Sequence, residues 1–286
     1  LSYDIYSGAP HNPAVIASEL DVVMLQAETY KEAGDWLSAA TIYRIVLEEL
    51  CARYANMYHE GGDLSSVLWD ASSLLGECLE EIEAPNVRMT IFKTLLEVVL
   101  EDIDGGGHGF ADAADEAITL QAAPDERAQL VPQVEGRLAE IQSSEEYFSR
   151  WRMRAYGALL LELQFDTLTD EAFIELCRRT GRRTDLLDRL LALDRLDEAV
   201  IEARNASDYE LLSLAGRFLA HGLEDTAEEL VEERAATSKD TRLDRWLMQR
   251  ALAGGDWDSA LRHAMDQFWQ YPCLEHYEAL RAIGKK

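Results

Sequence analysis

Cys273 and His276 are the residues whose types and spacing come nearest to a metal-binding pattern. A cysteine and a histidine separated by two residues recur in structural zinc sites, where four ligands surround the ion. No second pair of ligands lies near them in the sequence. We therefore predict a buried thiol at Cys273, an exposed helical histidine at His276, and no bound metal.

Other patterns of catalytic side chains are incomplete. The glycine run at 105–109 follows an apolar helical segment instead of a strand, and it lacks the Gly-Lys-Ser/Thr ending of a phosphate-binding loop. Adjacent carboxylates such as 48–49 and 228–229 are so frequent that no pair stands out as a catalytic acid and base. Neither a Gly-x-Ser-x-Gly turn nor a His-Glu-x-x-His helix occurs. We expect no catalytic residues and no cofactor, and an enzyme or a metal-binding domain is the less favoured alternative.

Two arginine clusters and an aromatic segment are the candidate partner-binding features. The guanidinium group of an arginine can form two parallel hydrogen bonds to one carboxylate. The clusters could therefore bind an acidic peptide or pair with acidic side chains of adjacent helices. We favour the internal pairs. Aromatic residues near the end of the chain could fill a core or form a hot spot for a partner. The candidate partner-binding residues are Arg178, Arg179, Arg182, Arg183, Trp151 and Trp269.

Two nearly identical segments indicate the elements that hold these side chains. Residues 34–36 and 255–257 both read Gly-Asp-Trp, each follows an apolar helical segment, and an alanine comes three residues later, at Ala39 and Ala260. A glycine can end one helix in the left-handed conformation, and an aspartate can cap the next. The tryptophan is predicted to pack at the corner. Each segment therefore predicts a helical hairpin.

Repeated hairpins predict a stack, because one hairpin cannot bury its apolar face alone. Four turns in the second half carry Gly181, Asp194, Gly222 and Gly255, and each is followed five residues later by a small or apolar residue. We predict an all-α protein, an irregular α-solenoid of antiparallel hairpins with about 14 to 15 helices. The predicted organisation is an irregular lead-in at 1–18, longer helices at 19–165, and short regular repeats at 166–286.

The composition narrows the possible partners. The chain has 54 acidic and 27 basic residues and a net charge of −27, which repels phosphate backbones. No stretch reaches the roughly 18 consecutive apolar residues of a membrane helix. Four widely spaced cysteines are typical of a reducing compartment. We expect no direct nucleic-acid partner, no membrane contact and a cytoplasmic location, and the oligomeric state stays open.

The two Gly-Asp-Trp hairpins resemble tetratricopeptide repeats. The first matches that pattern at Ala27, Tyr30, Gly34, Trp36, Ala39, Tyr43 and Val46, and the last matches it at Met248, Gly255, Trp257, Ala260, Ala264 and Pro272. The resemblance implies small residues where helices approach closely and aromatic residues between hairpins. The residues to which we assign repeat packing are Tyr30, Gly34, Trp36, Ala39, Tyr43, Ala199, Gly222, Ala227, Gly255, Trp257, Ala260 and Pro272.

Three segments carry a second resemblance: AETYKEAGDWLSAATIYRIVLEEL at 27–50, LLALDRLDEAV at 190–200, and the aromatic-Pro-x-Leu-Glu-x-Tyr-x-x-Leu phrase at 271–280. Together they resemble the helical region that follows the zinc finger in bacterial SWIM zinc-finger proteins. The Cys-x-Cys and Cys-x-His ligands of that finger are absent from this sequence. The resemblance therefore implies neither zinc nor the binding activities of the finger for this chain.

These features predict a non-enzymatic scaffold that binds a protein or peptide partner. The alternative is a structural appendage of a longer SWIM zinc-finger protein, positioning a module that binds nucleic acid or protein. The chain begins at Leu1 instead of a methionine, which favours a piece of a longer protein.

Overall fold

A computed structural model describes residues 13–54, 63–142 and 149–284. This part of the chain contains 15 helices and no strand, so the all-α prediction is confirmed. None of the helices described is long and apolar enough to cross a membrane.

The chain divides into two compact units, Leu1–Thr169 and Asp170–Lys286. The helices of the first unit are α1 (Pro13–Glu32), α2 (Trp36–Tyr54), α3 (Asp63–Glu81), α4 (Pro85–Gly105), α5 (Asp112–Gln121), α6 (Pro124–Gln142) and α7 (Ser149–Leu163). The helices of the second are α8 (Asp170–Thr180), α9 (Arg183–Ala192), α10 (Leu196–Arg204), α11 (Asp208–Ala220), α12 (Glu224–Ala235), α13 (Thr241–Gly254), α14 (Trp257–Gln270) and α15 (Leu274–Ile283). Because α1 begins at Pro13, residues 13–18 of the predicted irregular lead-in are helical, and its residues 1–12 lie outside the described residues.

Five tight turns between helices share one backbone geometry. Their central residues have positive φ angles: 79° at Gly34, 71° at Gly181, 57° at Asp194, 74° at Gly222 and 78° at Gly255. After each one, the next residue donates its N–H to the carbonyl oxygen five residues earlier, at 2.9 Å. This bond satisfies a carbonyl that a helix end leaves without a partner and reverses the chain. Each turn therefore joins two antiparallel helices through only two or three residues.

The start of the following helix repeats as well. In all five turns, a second hydrogen bond begins the next helix. The residue five positions after the positive-φ residue donates its N–H to the carbonyl oxygen of the residue directly after the positive-φ residue, as Ala39 does to Asp35. That donor is Ala39, Leu186, Ala199, Ala227 or Ala260, and every one is buried. A small residue here lets the two helices of a hairpin come close together.

The aspartates of the two Gly-Asp-Trp segments cap their helices as predicted. Asp35 Oδ1 accepts the N–H of Ser38 at 3.1 Å, and Asp256 Oδ1 accepts the N–H of Ser259 at 3.0 Å. These hydrogen bonds from serine lower the pKa of both carboxyls. The predicted packing of the tryptophans is wrong for Trp257, which is 41% exposed.

The remaining residues assigned to repeat packing differ in burial. Tyr43 is buried in the first unit, and its hydroxyl donates to Glu28 at 2.6 Å. Trp36 is only partly buried, and Tyr30 and Pro272 are exposed. The space between the helices is therefore filled by alanine and aliphatic side chains more than by the predicted aromatic residues.

Arginine side chains tie the helices of the first unit together. Arg88 of α4 donates to the carbonyl oxygens of Leu79 and Gln121 at 2.7 and 2.9 Å, and it pairs with Glu126 at 2.8 Å. The two carbonyls belong to the ends of α3 and α5, where the helices leave acceptors without partners. Arg88 thus joins three helix ends.

In the second unit, helices also contact the second neighbour along the chain. α9 packs against α11 and α11 against α13, while α10 packs against α12. The α13–α14 pair and the following α15 complete this unit. The arrangement brings α12, α13 and α14 around a common space.

Ala260→Leu is expected to lower the free energy of unfolding by about 1 to 3 kcal/mol, because Ala260 is fully buried and the larger side chain overpacks the hairpin. Urea unfolding followed by circular dichroism measures the change. Ala253→Leu, on the exposed side of α13, is the control and should unfold near the wild-type midpoint. Equal midpoints for the two variants would contradict the packing role.

Asp194→Gly is expected to raise the free energy of unfolding by about 0.5 to 1 kcal/mol, because Asp194 occupies the left-handed region that only glycine enters without strain. The reciprocal change, Gly222→Ala, should lower it by about 1 kcal/mol. No atom lies within 4 Å of a Cβ built at Gly222, so only the backbone is tested there. Thermal unfolding of both variants provides the measurement, and shifts in the same direction would rule out this explanation.

Candidate functional site

A groove lies between α12, α13 and α14. It consists of two cavities of about 620 and 500 Å³, and both have Glu232, Leu247 and His263 in their walls. The turn at Gly255 folds α14 back against α13, which places Asp244 next to His263 across the hairpin. His263, Asp266 and Gln270 follow at helical spacing on one face of α14. The groove is therefore formed by a single hairpin and the helix before it.

The floor of the groove holds a buried carboxylate and a buried imidazole. Asp244 is 5% exposed and His263 is 8% exposed. His263 Nδ1 lies 3.4 Å from Asp244 Oδ1, and Gln270 Nε2 lies 3.4 Å from Asp244 Oδ2. Asp266 is exposed, and one ligand atom from each of Asp244, His263 and Asp266 lies within 4.8 Å of the others. These are the described residues that could hold a metal ion.

The charge of the groove is strongly negative. Six carboxylates and two arginines line it. Arg250 pairs with Glu228 at 2.9 Å, and Arg262 approaches Glu232 to 3.8 Å. The part of the chain that the structure describes supplies no ion pair for Glu224 or Asp266. Their charges are available to a cationic ligand.

Ser259 also lines the groove, so a serine, a histidine and an aspartate occur together as in hydrolases. Asp256, the cap of α14, accepts the backbone N–H of Ser259 at 3.0 Å and so fixes Ser259 in the first turn of that helix. No hydrogen bond joins Ser259 to His263 in the described structure. The three residues are not arranged as a nucleophile with its base.

Trp269 stands at the edge of the groove and is 71% exposed. Its ring packs edge to face against the Phe268 ring, with 5.5 Å between the ring centroids. The centroids of the Phe268 and Tyr277 rings are 6.3 Å apart. Tyr271 and Leu274 are exposed close by in the sequence. Trp269, a predicted partner-binding residue, is thus accessible and adjoins the acidic groove.

The arginines around the Gly181 turn contact acidic residues of their own unit. Arg178 pairs with Glu202 at 2.9 Å and with Glu198 at 3.1 Å, and these hydrogen bonds, that with Glu202 first, raise the pKa of its guanidinium. Arg182 pairs with Asp185 at 2.9 Å. An acidic peptide would have to displace these carboxylates.

The other two arginines of the cluster differ in exposure. Arg183 donates to the carbonyl oxygen of Glu202 at 3.2 Å and lies 3.8 Å from a carboxylate oxygen of Glu210. Arg179 is exposed on α8. The structure does not bring this cluster into the groove lining.

Trp151 lies against the turn that follows α4. A Cβ added at Gly107 would lie 2.5 Å from the Trp151 ring, and Gly107 has a φ of 77°. Glycine is therefore required at this position both by its backbone conformation and by the ring above it. Much of the Trp151 ring serves an intramolecular contact.

The predicted states of Cys273 and His276 are reversed. His276 is buried, with Nδ1 2.8 Å from the carbonyl oxygen of Tyr271, while Cys273 is only partly buried at the start of α15. The helix turns His276 inward, toward the loop that ends α14. Its ring ties α15 to that loop.

No family model matches the chain, and no curated protein matches it in sequence. The tetratricopeptide and SWIM resemblances therefore stay predictions. Sequence reasoning also missed Asp244, His263 and Asp266. The sequence feature that could have indicated them is the His-x-x-Asp spacing on α14. It lies on a helix face that also carries the buried residues Ala260 and Gln267.

A separate titratable group lies in the first unit. Burial, together with the nearby charges of Glu162 and Asp112, raises the pKa of Asp115 from 3.8 to about 6. Glu162 accepts the hydroxyl of Thr119 at 2.6 Å. Perturbed carboxyls mark functional sites in many proteins, but the groups that act on Asp115 here are carboxylates, which repel its charge.

Asp115→Asn is expected to raise the free energy of unfolding at pH 8 by about 1 to 3 kcal/mol, since one pKa unit corresponds to about 1.4 kcal/mol. The folded protein holds the Asp115 proton more tightly than the unfolded chain does. Wild-type stability should therefore fall as the pH rises from 3.8 to about 6, and the variant should lose this slope. Urea unfolding at several pH values is the measurement. Glu116→Gln, an exposed neighbour, should keep the slope, and an unchanged slope in Asp115→Asn would show that another group causes it.

Proposed function

We propose that the second unit is an irregular, tetratricopeptide-like solenoid that acts as a non-enzymatic binding scaffold. The contacts of α9 with α11, α11 with α13 and α10 with α12 support a stack of hairpins. The four repeated turns of this unit, at Gly181, Asp194, Gly222 and Gly255, support the same arrangement. In such stacks, function resides in a surface that several helices form together.

The partner that the groove suits is a basic segment of another protein. The observation that carries this proposal is the acidic lining, six carboxylates against two arginines, with Glu224 and Asp266 outside any ion pair in the described structure. Opposite charge favours association and makes it sensitive to salt. Nucleic acid is the opposite case, because phosphate would meet the same carboxylates.

Trp269 supplies a second element of recognition. Its exposed indole at the edge of the groove can stack on a lysine or arginine side chain, and such cation–π contacts contribute about 0.5 to 1 kcal/mol at exposed sites. Tryptophan is also frequent among the residues that dominate protein interfaces. The groove thus offers charge along its length and an aromatic anchor at one edge.

The remaining observations fit a scaffold inside a reducing compartment. No hydrogen bond joins Ser259 to His263, so the described part of the groove offers no aligned nucleophile. All four cysteines are free, and a cytoplasmic location is part of the proposal.

The proposal is tested with a fluorescein-labelled peptide rich in lysine and arginine, whose binding is followed by fluorescence anisotropy. We expect the affinity to fall steeply with added salt. Glu224→Lys should weaken binding about tenfold, equivalent to about 1.4 kcal/mol, and Trp269→Ala about threefold to fivefold. Both residues are exposed, so circular dichroism should show an intact fold.

Glu175→Lys is the matched control, because it makes the same charge change on the exposed face of α8, outside the groove lining. It should retain most of the affinity. If Glu224→Lys and Glu175→Lys lose the same amount of peptide affinity, the effect comes from net charge and not from the groove. If the wild-type protein does not bind the peptide at low salt, the proposal is overturned in favour of a structural appendage.

A further inference from the structure

We propose that Asp244, His263 and Asp266 bind a divalent transition-metal ion, best matched by Zn²⁺, at the floor of the groove. The site goes beyond the binding of a basic segment and does not depend on it. Two of its three side chains are buried, and all three ligand atoms lie within 4.8 Å of one another.

The spacing of the ligand atoms suits a metal ion better than a hydrogen bond. His263 Nδ1 and Asp244 Oδ1 are 3.4 Å apart. Two ligands held at about 2.1 Å from a tetrahedral ion lie roughly 3.4 Å from each other. A hydrogen bond between an imidazole and a carboxylate normally brings these atoms to about 2.7 to 2.9 Å. The 3.4 Å separation of the pair therefore equals that of two ligands on one tetrahedral ion.

Asp244 provides an independent observation. Its carboxylate is 5% exposed and faces the groove, yet its two polar neighbours, His263 and Gln270, both stay at 3.4 Å. A buried carboxylate is costly unless it is paired or coordinates a metal. No short donor meets this one within the described structure. Its negative charge is directed into space that a cation can occupy.

The backbone holds the ligands at a fixed separation. His263 and Asp266 are three residues apart on α14, so they project on one face. The Gly255 turn fixes α13, with Asp244, against that face. A pair of helices joined by a tight turn is a rigid support, which metal sites need.

The ligand types select the metal. Imidazole nitrogen with carboxylate oxygen suits Zn²⁺, and the absence of a thiolate in this set argues against softer ions. Three protein ligands leave one tetrahedral position for water or for a side chain of a bound segment. Arg262 Nη2 lies 3.4 Å from His263 Nε2, but the Arg262 side chain is 60% exposed and can turn outward, toward Glu232.

Calorimetric titration of the tag-free protein with ZnCl₂, without any peptide, tests the site. We expect one ion per chain. Asp266→Asn should weaken binding at least tenfold without disturbing the fold, because Asp266 is exposed. Asp258→Asn, another exposed aspartate of α14, is the matched control and should bind as the wild type does. Equal weakening in both variants, or no binding by the wild type, would overturn the proposal.

Titration with Co²⁺ gives a second readout that also identifies the ligands. A tetrahedral site of nitrogen and oxygen ligands should produce visible absorption bands without a thiolate charge-transfer band. A strong charge-transfer band that disappears in Cys273→Ser would place the ion at the thiol and refute the site. Because the metal titrations contain no peptide, a failure to bind metal leaves the proposed binding of a basic segment untouched. A failure to bind the basic peptide likewise leaves the proposed metal site untouched.

Discussion

The left-handed turn between antiparallel helices is the constraint on which the described structure depends most. At Gly34, Gly181, Asp194, Gly222 and Gly255, one residue with positive φ allows the next N–H to reach a carbonyl at 2.9 Å. Each turn fixes both the end of one helix and the start of the next. The buried small or aliphatic residue that follows then sets how closely the two helices approach. Both proposals for the second unit rely on the last of these turns.

Charge is the second organising factor, and its distribution is uneven. Around Gly181 the arginines meet carboxylates of neighbouring helices, as Arg178 does with Glu202 at 2.9 Å. In the groove the carboxylates outnumber the arginines, so negative charge remains. A cation bound at Asp244 would reduce that charge. Metal and basic segment are therefore expected to influence each other, either by competition or through a side chain that completes the coordination.

Parts of this structure could be predicted because they depend on residues close in sequence. Helix periodicity, the caps at Asp35 and Asp256, and the glycine turns all involve neighbours within one or two helical turns. The errors arose where burial depends on a distant surface. Trp257 is exposed although its position in the Gly-Asp-Trp segment matches that of the partly buried Trp36, and His276 is buried because α15 turns it toward the end of α14.

The sequence by itself determined the helical class, the hairpin turns and the acidic balance of the chain, since each follows from local backbone preference or from composition. Only the tertiary structure decided which polar residues meet. Asp244 and His263 are 19 residues apart, on different helices, and their approach depends on the register of α13 against α14. That register follows from side-chain packing over the whole hairpin, which no local pattern encodes.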